Sequence, residues 1–344
     1  MKFLKIPTVL ISLFFCLCFL NSCEKEKSYA TSNPQIDVYV AGTETYGTTS
    51  IAKYWKNEKS INLTDGSKPA EARSIAVSGN DVFVAGWESN GTYRVATYWK
   101  NGKPVRLGDG SKDTYAYSVT VAGNDIYVAG IERSYTCNAP GGIGFVSLYW
   151  KNGKPFNASD GTYDAYAFGI AVSGNDVYVA GSEYNTTGYF GTYWKNGSPV
   201  RLSDFFTAVE AHSIAVSGND VYVAGTDYNY GGNIAKLWKN GTDVHLTDDL
   251  NSYADCVTVS GKDVYVCGSE AGIAKYWKNA RVVILDSTGS YANSIAIHGN
   301  QVYAVGAKRK GTRSIARLWK NGTAVDLSDG TTDNTAWGVF IGPR

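Results

Sequence analysis

The amino-acid sequence predicts an all-β fold: a seven-bladed β-propeller of four-stranded antiparallel blades, closed by pairing the C-terminal strand with the N-terminal blade. Three observations predict it. A unit of about 44 residues returns seven times, marked by Trp55, Trp99, Trp150, Trp194, Trp238, Trp277 and Trp319, and self-similarity at this period marks a repeat architecture. Each unit contains four short apolar runs divided by turn chemistry. The ends of the chain look like two halves of an eighth copy.

The unit at 207–250 shows the elements in order. A first strand is expected at Ser213–Val216 and a second at Val221–Ala224, joined by Ser217-Gly218-Asn219-Asp220. A third is expected at Ile234–Trp238 and a fourth at Val244–Leu246, joined across Asn240-Gly241, the strongest short hairpin signal. Asn-Gly recurs at Asn101-Gly102, Asn152-Gly153, Asn196-Gly197 and Asn321-Gly322. No helical period interrupts these runs, so each unit reads as one up-and-down antiparallel sheet. In the first two strands both alternating positions are apolar or small, as in Ile75, Val77, Val82, Phe83, Val84 and Ala85, which predicts sheets covered on both faces. Neighbouring copies supply that cover when sheets stack around an axis. The first copy lacks its first strand and begins at Ile36-Asp37-Val38-Tyr39, whereas Ala336–Ile341 is a first strand with nothing after it. Joined, they complete one blade and leave no open end that would need a capping repeat.

Residues 1–22 are a different material. Lys2 and Lys5 precede an apolar run from Ile6 to Leu20, the pattern of a signal peptide. Leu20-Asn21-Ser22-Cys23 resembles a bacterial lipobox, which implies lipidation of Cys23. Residues 23–35, with Glu24-Lys25-Glu26-Lys27, read as a lipidated cysteine followed by a flexible tether. The charged residues after Cys23 are similar to surface-export signals of Bacteroidetes lipoproteins, which implies a surface-exposed protein. The expected location is the cell envelope: lipid-anchored to the outer membrane, touching it through the anchor alone. Residues 36–344 form the propeller. In outline they resemble the large propeller class that includes WD-repeat and kelch proteins. They carry Val-Tyr-Val-Ala-Gly and Tyr-Trp-Lys-Asn-Gly in place of a Trp-Asp dipeptide or a double glycine. That resemblance implies a fold and no activity.

Composition narrows the partners. The 32 basic and 31 acidic side chains leave a net charge of +1, so no large field favours nucleic acid. Of the six cysteines, Cys137 stands alone in a long loop. Cys256 and Cys267 replace small residues of other copies and fall opposite each other if the turn centres on Gly261-Lys262. They are a candidate disulfide pair, with two buried thiols as the alternative. His212, His245 and His298 form no pair at ligand spacing, and no Cys-x-x-Cys or Gly-x-Ser-x-Gly occurs. No metal, cofactor or catalytic residue is therefore assigned.

The copies also provide an internal alignment. With the first strand innermost, the hairpins emerge on a face that hardly varies, and nearly all variation falls on the other face. There the residue after the repeated alanine is Arg73, Tyr117, Phe168, His212, Asp255, Asn293 or Trp337. The preceding inner column holds Glu71, Tyr115, Tyr166, Glu210, Tyr253, Tyr291 and Thr335. Together they would line a funnel of rings, charges and amides suited to an uncharged polar ligand such as a sugar. Tyr93, Tyr135, Tyr184, Tyr189, Tyr228 and Tyr230 lie in the adjoining loops. Other repeated positions read as scaffold. They are the tryptophans, the turn aspartates (Asp65, Asp109, Asp160, Asp204, Asp248, Asp286, Asp329), and the acids Glu44, Glu88, Glu132, Glu183, Asp227 and Glu270, with Lys308 in the seventh copy. The leading reading is a non-enzymatic binding protein with a glycan or protein ligand at the variable face. The alternatives are a polysaccharide hydrolase or lyase using Glu71, Glu210, Asp255 and His212, or a scaffold in an outer-membrane complex. Position alone would also let His212, Asp255 and Arg73 meet as an acid–base set.

Overall fold

A computed structural model describes residues 36–136, 143–185, 188–203, 208–229 and 231–344. The signal, Cys23 and the tether lie outside the described residues, as do Cys137, Gly141, Gly142, Asp204 and Tyr230. The described residues form seven four-stranded antiparallel sheets and no helix. Numbered in chain order, blade 1 takes 36–62 plus the last strand, and blades 2 to 7 cover 70–106, 114–157, 164–201, 208–244, 252–288 and 290–326. Six blades run from the innermost strand outward in chain order. Blade 1 is closed as expected: Asp333–Pro343 pairs antiparallel with Ile36–Tyr46, Ile36 opposite Pro343.

The strands extend beyond their apolar runs. In blade 5 they are Ala208–Ser217, Asp220–Asn229, Gly232–Lys239 and Thr242–Val244. The outermost strand therefore ends two residues short of the expected Leu246. Leu246 is instead buried against blade 6, so its side chain is apolar because it covers an interface rather than because it continues a ladder.

Side chains from facing sheets form seven apolar clusters, one at each interface between consecutive blades. Between blades 2 and 3, for example, Phe83 and Tyr98 pack on Val119, Val128 and Trp150. The repeated tryptophan supplies one member of each cluster, and all seven are at most 3% exposed. Removing such a ring from a closed core costs about 3–5 kcal/mol, which explains why this column does not vary.

The invariant hairpin face is held by a repeated clamp. In blade 4, Asn196 lies in the left-handed region (φ 50°), accepts a hydrogen bond from the Val177 amide and donates to Asp176. Asp176 also pairs with Lys195, whose ammonium lies over the Tyr178 ring. The same four-part arrangement joins Asp81, Asn101, Lys100 and Phe83, and Asp220, Asn240, Lys239 and Tyr222. The turn is thus satisfied within its own blade.

Candidate functional site

The innermost strands carry one irregularity apiece. Register shifts fall between Ala72 and Ser74, Ala116 and Ser118, Ala167 and Gly169, Ala211 and Ser213, Ala254 and Cys256, and Ala292 and Ser294; the last strand shifts opposite Ala41 and Gly42. The unpaired residues are Arg73, Tyr117, Phe168, His212, Asp255, Asn293 and Trp337. Every member of the variable column is therefore the extra residue of a β-bulge, a device that re-aims a side chain. The glycine of each Val-Ala-Gly makes the bulge possible. At Gly181, a Cβ would fall on the Tyr166 carbonyl oxygen, so only glycine lets the two backbones approach.

The seven bulge residues line one central cavity of about 280 Å³, near the lower end of the range for ligand pockets, ~300–1,000 Å³. Consecutive members touch around most of the ring. Tyr117 and Phe168 meet edge to face with centroids 5.4 Å apart, and Phe168 meets His212 at 6.1 Å. The Arg73 guanidinium lies 4.1 Å from the centre of the Trp337 ring. Asn293 donates to the Ala336 carbonyl of the next blade at 2.9 Å.

His212 does the same toward blade 6. Its Nδ1 is 3.1 Å from the Ala254 carbonyl and its Nε2 3.3 Å from Glu210 Oε2. The Ala254 carbonyl can only accept, so Nδ1 carries a proton, and Nε2 donates to the Glu210 carboxylate as well when the ring is charged. Burial opposes that charge, but the hydrogen bond to Glu210 and the charges of Asp255 and Glu210 outweigh it and raise the His212 pKa. Glu210 is held ionised chiefly by its bond to His212, with Tyr189 and Tyr228 also donating to it. Asp255 lies 3.8 Å from His212 Nδ1. Burial pushes its carboxyl up to about 6, with His212 pulling the other way. Burial also pushes Tyr117 up to about 12.

The second inner column forms a shell around this ring, and the shell is lopsided. Tyr115 stacks on Tyr117, and Tyr166 on Phe168. Trp87 and Phe145 extend these rings into a continuous aromatic arc over blades 2 to 4. Across blades 5 and 6 the shell is polar: Glu210 as above, and Tyr253 accepting from Asn233. Tyr291 and Thr335 meet through their hydroxyls at 3.5 Å, and Glu71 pairs with Arg73. Of the proposed acid–base set, His212 and Asp255 meet, whereas Arg73 is turned to Trp337 and Glu71. Trp87 and Phe145 were not among the expected site residues. Trp87 had a signal, as a large ring where other copies place Thr43, Ser182, Thr226 or Ser269.

The positions read as scaffold are engaged accordingly. Glu44 pairs with Lys53, Glu132 with Lys112, Glu183 with Arg201 and Glu270 with Lys275. Blade 7 inverts the sign, Lys308 pairing with Asp286. Asp65, Asp109, Asp160 and Asp329 accept from the amide two residues on, the turn bond expected of them. Among the described residues, no group of three His, Cys, Asp or Glu side chains is placed to hold a metal ion. Cys256 and Cys267 are directly opposite in register, as expected. Of the two alternatives, a disulfide or two thiols, the structure holds free thiols. The Cys267 thiol donates to the Ala292 carbonyl of the next blade, 3.5 Å away.

No family model matches the chain, and no curated protein matches it. Solved structures do. The chain is similar to an acylaminoacyl peptidase of Pyrococcus horikoshii (TM-score 0.52, 13% identity) over 86% of its own length and 50% of that protein. It therefore spans about half the length of that peptidase. It also resembles AztD from Citrobacter koseri (TM-score 0.49, 12% identity, 90% and 99% covered) and TolB from Acinetobacter baumannii (TM-score 0.46, 11% identity, 87% and 83% covered). At such identities the likeness is one of fold alone.

Proposed function

We propose that this protein is a non-enzymatic binding protein that holds a small uncharged polar group, the end of a glycan, in the central cavity. One observation carries the reading. Seven bulges aim seven chemically different side chains into one cavity, while the frame around them repeats nearly unchanged. Rings on one side and hydrogen-bonding groups on the other match the two kinds of surface on a sugar. The charges largely offset one another: Arg73 and His212 face Glu71, Glu210 and an Asp255 whose carboxyl burial raises to about 6. The cavity's size favours one sugar ring over a chain.

Against a polysaccharide hydrolase weighs the state of its acids. Glu210 already accepts from His212, Tyr189 and Tyr228, and Glu71 is paired with Arg73. Against a scaffold weighs the scatter of exposed apolar side chains among the described residues, with Val282, Val283 and Ile284 the adjacent exception. The signal and Cys23 support an envelope lipoprotein, for which incorporation of a palmitate analogue should be lost in Cys23→Ala. Ligand binding is tested by screening the purified protein on a broad glycan array beside a Tyr117→Ala/Trp337→Ala variant. Binding abolished in the variant supports the cavity as the site. A blank array from correctly folded protein overturns the glycan reading.

A further inference from the structure

In three blades the serine after the bulge links neighbouring blades. Ser74 Oγ accepts from the Val119 amide, Ser213 Oγ from Val257 and Ser294 Oγ from Val339, each two residues past the next blade's bulge. In blade 6 this residue is Cys256, whose sulfur takes the corresponding bond from the Ile295 amide. Its cross-strand partner, alanine in five other blades and valine in one, is here Cys267. Cys256 lines the central cavity, and Cys267 is fully buried behind it. We propose that Cys256 is a reactive thiol of the cavity wall and Cys267 its resolving thiol, so that this blade takes a soft two-electron oxidant such as a hydroperoxide. This does not rest on the glycan reading.

Two features support the assignment. Directly opposite residues of antiparallel strands have Cα atoms ~4.5–5.5 Å apart, within the span a disulfide bridges, ~4.4–6.8 Å. The polar neighbours of its sulfur, Cys267 first and then the Ile295 amide and the Ser213 and Ser294 hydroxyls, lower the Cys256 thiol to about 7, whereas burial pushes Cys267 well above the usual thiol range. A thiolate-forming, accessible cysteine beside a second one is the arrangement of oxidation-prone thiols.

The chemistry balances. The Cys256 thiolate attacks one oxygen of hydrogen peroxide. An S–O bond forms, the O–O bond breaks, and the departing hydroxide takes up the proton lost by the thiol and leaves as water. Cys256 is oxidised by two electrons to a sulfenic acid. The Cys267 sulfur then attacks the Cys256 sulfur; the S–S bond forms, the S–O bond breaks, and the Cys267 proton leaves with the hydroxide as a second water.

The test treats the purified, reduced full chain with hydrogen peroxide, alkylates the remaining thiols and maps peptides. Trypsin cuts after Lys262, between the two cysteines, so an intrablade disulfide appears as two joined peptides. The expected result is a Cys256–Cys267 link reversed by dithiothreitol. Before oxidation, Cys256 should alkylate at least tenfold faster than Cys267. In Cys267→Ala, dimedone should trap a sulfenic acid at Cys256. Cys267→Ala and Cys256→Ser install residues that other blades carry at these positions, which keeps the variants folded. Two separate reduced thiols after peroxide, or Cys256 joined to Cys137 instead, overturns the proposal.

Discussion

A single missing methyl group decides whether Phe168 points into the cavity. The Gly181 backbone lies against the Tyr166 carbonyl with no room for a Cβ, and this approach lets the strand carry Phe168 as an unpaired residue. Gly181→Ala should cost about 2–3 kcal/mol, at the upper end for overpacking. Urea unfolding measures that loss, and an unchanged midpoint would mean that the bulge does not depend on the glycine. Asp255 offers a second test. Burial raises its folded pKa from the ordinary aspartate value of 3.8 to about 6, so its contribution to stability is complete below pH ~4 and is lost as pH rises through 6. His212, also raised, acts in the same sense, its share present below its ordinary pKa and lost as pH rises through the folded one. Asp255→Asn should therefore match the wild type near pH 4 and exceed it at pH 7.5, by on the order of 1 kcal/mol once solvent screening is allowed for. A difference between variant and wild type that stays flat from pH 4 to 7.5 would exclude an unfavourable Asp255 charge. The variable column was legible because seven side chains differ at one repeated position. The bulge that aims them was not, since an insertion present in every copy leaves no gap when the copies are aligned.

At the scale of the hairpin, a turn conformation and its side-chain bonds can be separated. Asn196 contributes a residue tolerant of positive φ and two hydrogen bonds, one from the Val177 amide and one to Asp176. Glycine keeps the conformation and loses the bonds; alanine loses both. Asn196→Gly should cost about 1 kcal/mol, and Asn196→Ala about 1–2 kcal/mol more for the left-handed backbone. Urea midpoints ordered wild type, Gly, Ala would support this division, whereas equal losses would assign everything to the hydrogen bonds. The Asn-Gly and Ser-Gly-Asn-Asp repeats disclosed where the chain turns, because turn chemistry is local. They did not disclose that Asp176, Asn196, Lys195 and Tyr178 converge, because that contact joins residues 20 apart across two hairpins. The sign inversion at Lys308 and Asp286 was likewise visible only as an exception to a column until its partner appeared.

At the scale of the ring, the question is what holds the circle shut. Every interface between blades is a cluster of apolar side chains bridged by a chain connection, and blade 1 alone is assembled from both ends of the propeller. Residues 36–46 and 333–343 bridge that gap with a paired ladder, supported by Val40, Trp55, Ala336 and Val339 packed on blade 7. This closure was legible in the sequence because each terminus lacks what the other supplies. A circular permutant moves the closure elsewhere. Asp37 lies opposite Gly342 in register, as Asp81 lies opposite Ser78, so a Gly-Asn turn like Gly79-Asn80 should join Gly342 to Asp37. Opening the chain between Ser67 and Lys68 then leaves seven continuous blades. The interface between blades 1 and 2 would be held by packing alone, chiefly Tyr39, Ile75, Val84 and Trp99. The permutant should fold with an unchanged far-ultraviolet spectrum but lose on the order of 3 kcal/mol, the scale of a loop-closure term. Amide exchange should rise first in Ala70–Ser78, the innermost strand at the opened seam. Equal stability and unchanged protection there would mean that side-chain packing alone closes the ring and that the shared blade contributes nothing.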